Sequence, residues 1–255
     1  MDRQTNAFKA ALEARTPQVG LWMAMASAYA AELCGQCGYD WYVIDAEHAP
    51  NTITTVVAQL QAMQGCGGEP VLRIPVNDLN FLKQATDAGV RTILAPMIET
   101  ADQARQLADA MHYPPRGRRG VGSALARASR FGADANYLAS ANERACLLLQ
   151  VETVKGLANI EDICAVEGVD GIFIGTADLA ADMGHLGRPA APEVQEAMLS
   201  ATNRIIAAGL PVGGLTSDPA LAKSWLAAGL TFVAVGNDVS VLRAGLTALR
   251  GHFPG

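Results

Sequence analysis

The chain has 255 residues, 50% of them hydrophobic and 17% charged, with a formal net charge of −6. That length holds one sizeable core, and an α/β barrel can fill it as a single domain. The acidic balance excludes nucleic acid as a main partner and gives no attraction to anionic membranes. The polar first residues lack the apolar core of a signal peptide, and no run nears the roughly 18 apolar residues that span a bilayer, so a cytoplasmic protein is expected.

In chain order, residues 19–25 are the first apolar run, and Ser27 opens a helix over 28–37 that Gly38 closes. The second run, 39–46, precedes an amphipathic helix over 52–64, with Ile53, Val56, Val57, Leu60 and Met63 at helical spacing. The third run is 69–76, and Asn77-Asp78 caps a helix that reaches Ala88 and stops at Gly89. The fourth run, 91–98, leads to Thr100 and a helix to about His112. An irregular basic segment over 113–132 and a short helix over 135–142 follow. The fifth run, 145–151, is followed by a helix to Glu167, and the sixth is 169–174. A short helix from Asp178 to Met183 and a longer one over 192–208 come next. The seventh run, 211–215, precedes a helix opened by Asp218-Pro219, and the eighth, 230–235, precedes the last helix, 239–252.

Apolar runs alternating with helices specify a parallel sheet covered on its outer face. Eight such units in 255 residues predict a single (β/α)8 TIM barrel spanning residues 1–255, with no linker dividing it. An open doubly wound sheet would carry a glycine-rich phosphate turn after its first strand, and none is present. The five cysteines are too few for a disulfide framework. Cys34-Gly35-Gln36-Cys37 admits a redox or zinc role, but a lone C-x-x-C late in a helix fits plain packing better.

Chemistry in this fold sits at the C-terminal ends of the strands. There the sequence places Asp45, Glu47 and His48 after the second run, Arg73 in the third, Gln150 and Glu152 after the fifth, Asp178 after the sixth and Leu215 at the end of the seventh. Glu152 and Asp178 read either as hard oxygen ligands for Mg²⁺ or Mn²⁺ or as helix N-caps. Asp45 is expected to organise the site through hydrogen bonds and, on the metal reading, Glu47 to hold a metal-bound water. His48, the one histidine at a strand end, is either structural or a general base. Arg73 lies in an apolar strand and needs an anion, either a neighbouring carboxylate or a substrate oxyanion. Lys9, Lys83, Lys155 and Lys223 all fall in helical segments, so no strand lysine is available for a Schiff base. The segment over 116–132 holds five arginines and covers the site or contacts a neighbouring subunit; a phosphate loop is conceivable, but the P-loop ending is absent.

These residues are not scattered. Ile44-Asp45-Ala46-Glu47-His48-Ala49-Pro50, Arg73, the block from Arg119 to Ser129, Gln150-Val151-Glu152-Thr153 and the stretch from Val169 through Asp178-Leu179 together resemble the HpcH/HpaI family of class II, pyruvate-dependent aldolases. The resemblance implies a barrel of the phosphoenolpyruvate/pyruvate type and retro-aldol cleavage of a 4-hydroxy-2-oxo acid to pyruvate and an aldehyde. It implies a divalent metal (Mg²⁺, Mn²⁺ or Co²⁺) held by Glu152 and Asp178, and no organic cofactor. It further implies that Arg73 meets the pyruvyl oxygen and that Gln150 and the backbone at Gly175, Thr176 and Ala177 bind substrate. By the same resemblance Leu215 shapes the aldehyde side, and catalytic His48 pairs with Asp87 of an adjacent subunit in a homo-hexamer. The chain departs from the family pattern at Thr176, where the family has proline, and at Asn237, where an apolar residue is common. An acyl-CoA lyase of the citrate lyase β type and a non-catalytic 2-oxo acid binding protein are the competing readings.

Overall fold

The computed structural model describes residues 5–76 and 78–253. Eight parallel strands close in sequence order into a barrel: β1 (Gln18–Met23), β2 (Trp41–Asp45), β3 (Glu69–Arg73), β4 (Thr92–Ala95), β5 (Cys146–Val151), β6 (Gly171–Ile174), β7 (Val212–Leu215) and β8 (Phe232–Asn237). The helices are α1 (Ala7–Glu13), α2 (Ala28–Gly35), α3 (Ile53–Ala62), α4 (Leu79–Ala88), α5 (Ala101–Met111), α6 (Tyr137–Arg144), α7 (Val154–Ala158), α8 (Ile160–Cys164), α9 (Thr176–Asp182), α10 (Pro192–Ala207), α11 (Pro219–Ala227) and α12 (Asp238–Gly251). The expected barrel is therefore the observed one, with strand ends shifted by up to three residues.

Alternation along each strand sorts two cores. Leu21, Met23, Tyr42, Ile44, Leu72 and Ile93 face outward and pack beneath the helices. Trp22, Trp41, Val43, Val71, Leu148, Phe173 and Phe232 fill the barrel interior. The interior is crowded enough to dictate glycine opposite its rings: a Cβ at Gly213 would lie 2.2 Å from Phe232.

The role of one element escapes the sequence reading, which places Lys9 in a helical segment and goes no further. The polar start of the chain folds into α1, capped by Asn6, and Phe8 and Leu12, four apart on one face, plug the N-terminal end of the barrel. Phe8 packs against Trp41 and Phe232 at centroid distances of 5.7 and 5.9 Å. The Asn6 amide fastens the plug by donating to Thr92 Oγ1 and to the Arg144 carbonyl, at 3.0 and 3.1 Å. A second difference lies after β5, where one helix to Glu167 was expected. The chain breaks at Asn159 into α7 and α8, and the Asn159 amide donates to the Glu99 carbonyl at 2.8 Å. Of the expected cap Asn77-Asp78, Asp78 accepts from Asn80 and Phe81 N–H groups, whereas Asn77 lies outside the described residues.

Helices in this fold run antiparallel to the strands, so the C-terminal end of α4 and the basic segment after α5 lie towards the end of the barrel away from the mouth. Arg119 donates to Asp87 Oδ1 at 2.8 Å, and Arg127 donates to the Ala88 carbonyl at 2.8 Å. The segment over 116–132 thus packs along α4 and does not cover the mouth of its own barrel. Among the described residues no helix is long and apolar enough to cross a membrane.

Candidate active site

The mouth is built outward from Asp45, the last residue of β2, which pairs in register with Arg73, the last residue of β3. Asp45 Oδ1 accepts from the backbone N–H groups of Glu47 and His48, at 3.0 and 3.2 Å, and so folds the 45–48 turn. The same carboxylate takes Arg73 in a fork, Nε to Oδ1 at 3.0 Å and Nη2 to Oδ2 at 2.6 Å. Arg73 Nη1 reaches Glu47 Oε2 at 2.9 Å. The guanidinium is 7% exposed, so the anion it requires is supplied by two neighbouring carboxylates. Asp45 takes the Nε and Nη2 N–H groups and Glu47 pairs with Nη1, so a guanidinium with five donors is not exhausted by these contacts. Burial works against ionised Asp45, yet the Arg73 hydrogen bonds and charge, with Trp22 and the Glu47 N–H, hold its carboxyl below the usual range. Burial raises Glu47, and the charges of Asp45 and Asp178 add to the rise; Arg73, whose charge is shared with Asp45, only partly offsets it.

The second half of the mouth comes from β5 and β6. Glu152 is 1% exposed. Its Oε1 accepts from the Met97 backbone N–H at 2.8 Å, which Met97 presents from a left-handed conformation at φ 57°. Its Oε2 accepts from the Gln150 amide at 2.5 Å. Gln150, expected among the substrate contacts, therefore spends its amide N–H on orienting Glu152. Burial pushes the Glu152 carboxyl up to about 7, with the Asp178 and Glu47 charges adding to it against the Gln150 and Met97 hydrogen bonds.

The N-cap alternative fails for both acids. Thr153 caps α7, accepting from the Gly156 N–H, and Gly175 stands at the N-cap of α9. Asp178 sits in the first turn of α9, past the N-cap position. Gly175 is required by its neighbour: a Cβ there would lie 2.3 Å from Glu152 Oε2. Two carboxylates brought together by two strand ends, one of them raised by its burial and further by the charge of the other, form a donor set that suits a hard divalent cation. Among the described residues no group of three or more acids, histidines and cysteines is placed to hold a metal ion.

The remaining expected residues divide. His48 is exposed on the rim, its charge felt by Glu47. Leu215 is half-buried against the interior core, and Thr176 is buried at the start of α9. Asn237 caps α12 by accepting from the Ser240 N–H at 2.8 Å. Asp87 is committed to Arg119 near the far end of α4 and does not meet His48 within the chain. Lys155 is 63% exposed and paired with Glu99 at 2.8 Å, pointing out of the mouth. Sequence reasoning passed over Trp22, whose ring centroid lies 4.8 Å from Arg73 Cζ; its parity with Gly20 on β1 was the available signal. It also passed over the Met97 N–H, a backbone group that no side-chain pattern announces.

Comparison with known proteins agrees with this fold. The family model described as HpcH/HpaI aldolase/citrate lyase matches residues 18–244. A hydroxypyruvate/pyruvate aldolase of Deinococcus radiodurans is 51% identical over 253 residues, covering 99% of this chain and 91% of that one. A 4-hydroxy-2-oxo-heptane-1,7-dioate aldolase of Salmonella heidelberg is 50% identical over 248 residues, covering 97% of this chain and 94% of that one. The crystal structure of an HpcH/HpaI aldolase/citrate lyase family protein from Burkholderia cenocepacia superposes with a TM-score of 0.91 at 40% identity, over 97% of this chain and 99% of that one.

Proposed function

The chain belongs to the HpcH/HpaI aldolase/citrate lyase family, and from that premise we propose that it is a divalent-metal-dependent aldolase. It cleaves 4-hydroxy-2-oxo acids to pyruvate and an aldehyde, and it joins them in reverse. The observation that carries this reading is the juxtaposition at one barrel mouth of the buried Glu152, its neighbour Asp178 and an Arg73 already oriented by Asp45. The names of the two relatives above, one acting on pyruvate and one on a 4-hydroxy-2-oxo diacid, fit the same chemistry.

Glu152 and Asp178 would hold Mg²⁺, Mn²⁺ or Co²⁺, which relieves the repulsion between them. When bound, the cation supplies Lewis acidity towards a 2-oxo acid. Gln150 and Met97 keep the Glu152 carboxylate aimed at it. The substrate carboxylate lies against the backbone of Gly175, Thr176 and Ala177. Arg73 directs its guanidinium at the C2 oxygen, where negative charge develops. His48, on the turn that Asp45 organises, accepts the proton of the C4 hydroxyl. The C3–C4 bond then breaks, its electron pair passes into the pyruvate fragment as enolate, and the aldehyde leaves along the side bounded by Leu215. Reprotonation at C3 completes pyruvate. Lys155 takes no part.

The same reading makes the enzyme a homo-oligomer, a hexamer on the family pattern. Asp87 and His48 belong to opposite ends of one barrel, so the pairing of Asp87 with His48 runs between subunits. The last helix supports assembly: along α12 only Asp238 is buried, while Val241, Leu242, Leu246 and Leu249 are 64, 48, 58 and 59% exposed. An aliphatic stripe of this kind is costly in water unless a copy covers it.

The test is pyruvate release from racemic 4-hydroxy-2-oxo acids with Mg²⁺ or Mn²⁺, alongside an acyl-CoA thioester substrate of the citrate lyase type. Release from the 2-oxo acid, lost in His48→Ala with pyruvate binding retained, supports the proposal. Cleavage of the thioester alone would move the chain to the lyase reading, and tight binding of 2-oxo acid without turnover to a binding protein.

A further inference from the structure

Arg73 is pinned in its plane by Asp45 and Glu47, but a guanidinium held only by its edges can still tip out of plane. The face is held by Trp22, whose ring centroid lies 4.8 Å from Cζ. The indole N–H donates to Asp45 Oδ2 at 3.2 Å, and that oxygen also takes Arg73 Nη2. Indole, carboxylate and guanidinium therefore form a closed triangle in which each group touches the other two. The indole is itself fixed by Phe173, at 5.7 Å and 50°, on the strand that leads to Asp178.

We propose that Trp22 is a positioning residue that sets the plane of Arg73, and with it the aim of the guanidinium at the substrate oxygen. This rests on the aldolase reading for the identity of that oxygen. A core-filling role would need only the volume of the ring. Here both the N–H and the π-face are spent on charged groups, a use that leucine cannot replace and phenylalanine replaces only on the face. The other two tryptophans are elsewhere: Trp41 packs against Phe8 and Phe232 at the N-terminal end of the barrel, and Trp225 on α11 donates to Gln195. An emission change on binding at the mouth is therefore a Trp22 signal.

The experiment compares Trp22→Phe and Trp22→Leu, each alone and combined with Arg73→Lys, in the metal-loaded protein. Three quantities are read: turnover and KM, the emission change on adding pyruvate, and metal affinity by calorimetry. The expected result is a fall in kcat of about threefold for Trp22→Phe and about thirtyfold for Trp22→Leu, with metal affinity kept. In the Arg73→Lys background the Trp22→Leu loss shrinks to under about twofold, as coupled residues require. Pyruvate changes the emission of the wild type and not that of Trp22→Phe. Trp22→Leu turnover within about twofold of wild type, or a Trp22→Leu loss undiminished by Arg73→Lys, would overturn the proposal. If Trp22→Leu does not fold, Trp22→Phe decides by its kcat and emission. If the wild type releases no pyruvate, the aldolase reading fails, while the emission response still tests whether Trp22 faces the 2-oxo acid.

Discussion

Asp45 and Arg73 stand side by side on adjacent strands and close a two-point fork, at 3.0 and 2.6 Å, in which each orients the other. The fork ties the turn carrying His48 to the cation that faces the substrate. Arg73→Lys preserves charge and loses the fork. Its kcat/KM should fall about 10²–10³-fold, the scale of losing one oxyanion contact, and its melting temperature should drop because Asp45 is left buried with a single-point partner. Steady-state kinetics and thermal denaturation check both.

Lys155 is paired with Glu99 and points away from the mouth. Lys155→Ala should keep turnover within about threefold, the range of an exposed ion pair. Borohydride added with pyruvate should leave no covalent adduct by mass spectrometry; an adduct on Lys155 would replace the metal mechanism with an imine.

Gly175 leaves no room for a side chain beside Glu152. Gly175→Ala should displace that carboxylate and weaken Mn²⁺ binding by at least about tenfold, in line with changes that disturb ligand support. The barrel should remain folded, because the position lies on the rim. Calorimetry and circular dichroism separate the two effects.

Eight strands and their order were legible because alternation and turn residues repeat along the whole chain. So were the acids at the strand ends. What they do was not, since Glu152 and Asp178 could equally have been caps until Thr153 and Gly175 were seen in those places. The plugging role of α1 stayed hidden because Phe8 and Leu12 are only two apolar residues in a polar stretch, and their value comes from the barrel end they close. The basic segment could not be assigned to an end of the barrel until its ion pair with Asp87 fixed it along α4. Trp22 read as one more apolar residue of a strand; its contact with Arg73 exists only once β1, β2 and β3 are side by side.

The assembly reading predicts complementation. His48→Ala and Asp87→Ala should each be inactive alone, yet mixing them under conditions that exchange subunits should restore part of the activity, because some sites regain both groups. Leu246→Asp on α12 should shift the protein to a smaller species by light scattering, since a charge enters the exposed aliphatic stripe. Activity that survives in a monomer would separate Asp87 from the site.

Glu152 also sets a pH dependence. Burial raises its folded pKa to about 7 from the usual 4.5, so the fold accommodates the protonated form and loses stability as pH rises from the lower value through the higher. In chelator-treated protein the melting temperature should therefore decline between about pH 5 and about pH 8. Glu152→Gln should flatten that decline, and a divalent cation should raise the melting temperature more at the alkaline end, where the ligand is ionised.

The central claim is that Glu152 and Asp178 hold the metal on which aldol cleavage depends. The most direct measurement follows pyruvate release from a 4-hydroxy-2-oxo acid before chelation, after exhaustive chelation, and after readdition of Mn²⁺, in the wild type, Glu152→Gln and Asp178→Asn. The account predicts activity that chelation abolishes and Mn²⁺ restores in the wild type alone, with Mn²⁺ affinity reduced in both variants. Release that persists through chelation, or variants that bind Mn²⁺ and turn over as the wild type does, would contradict it.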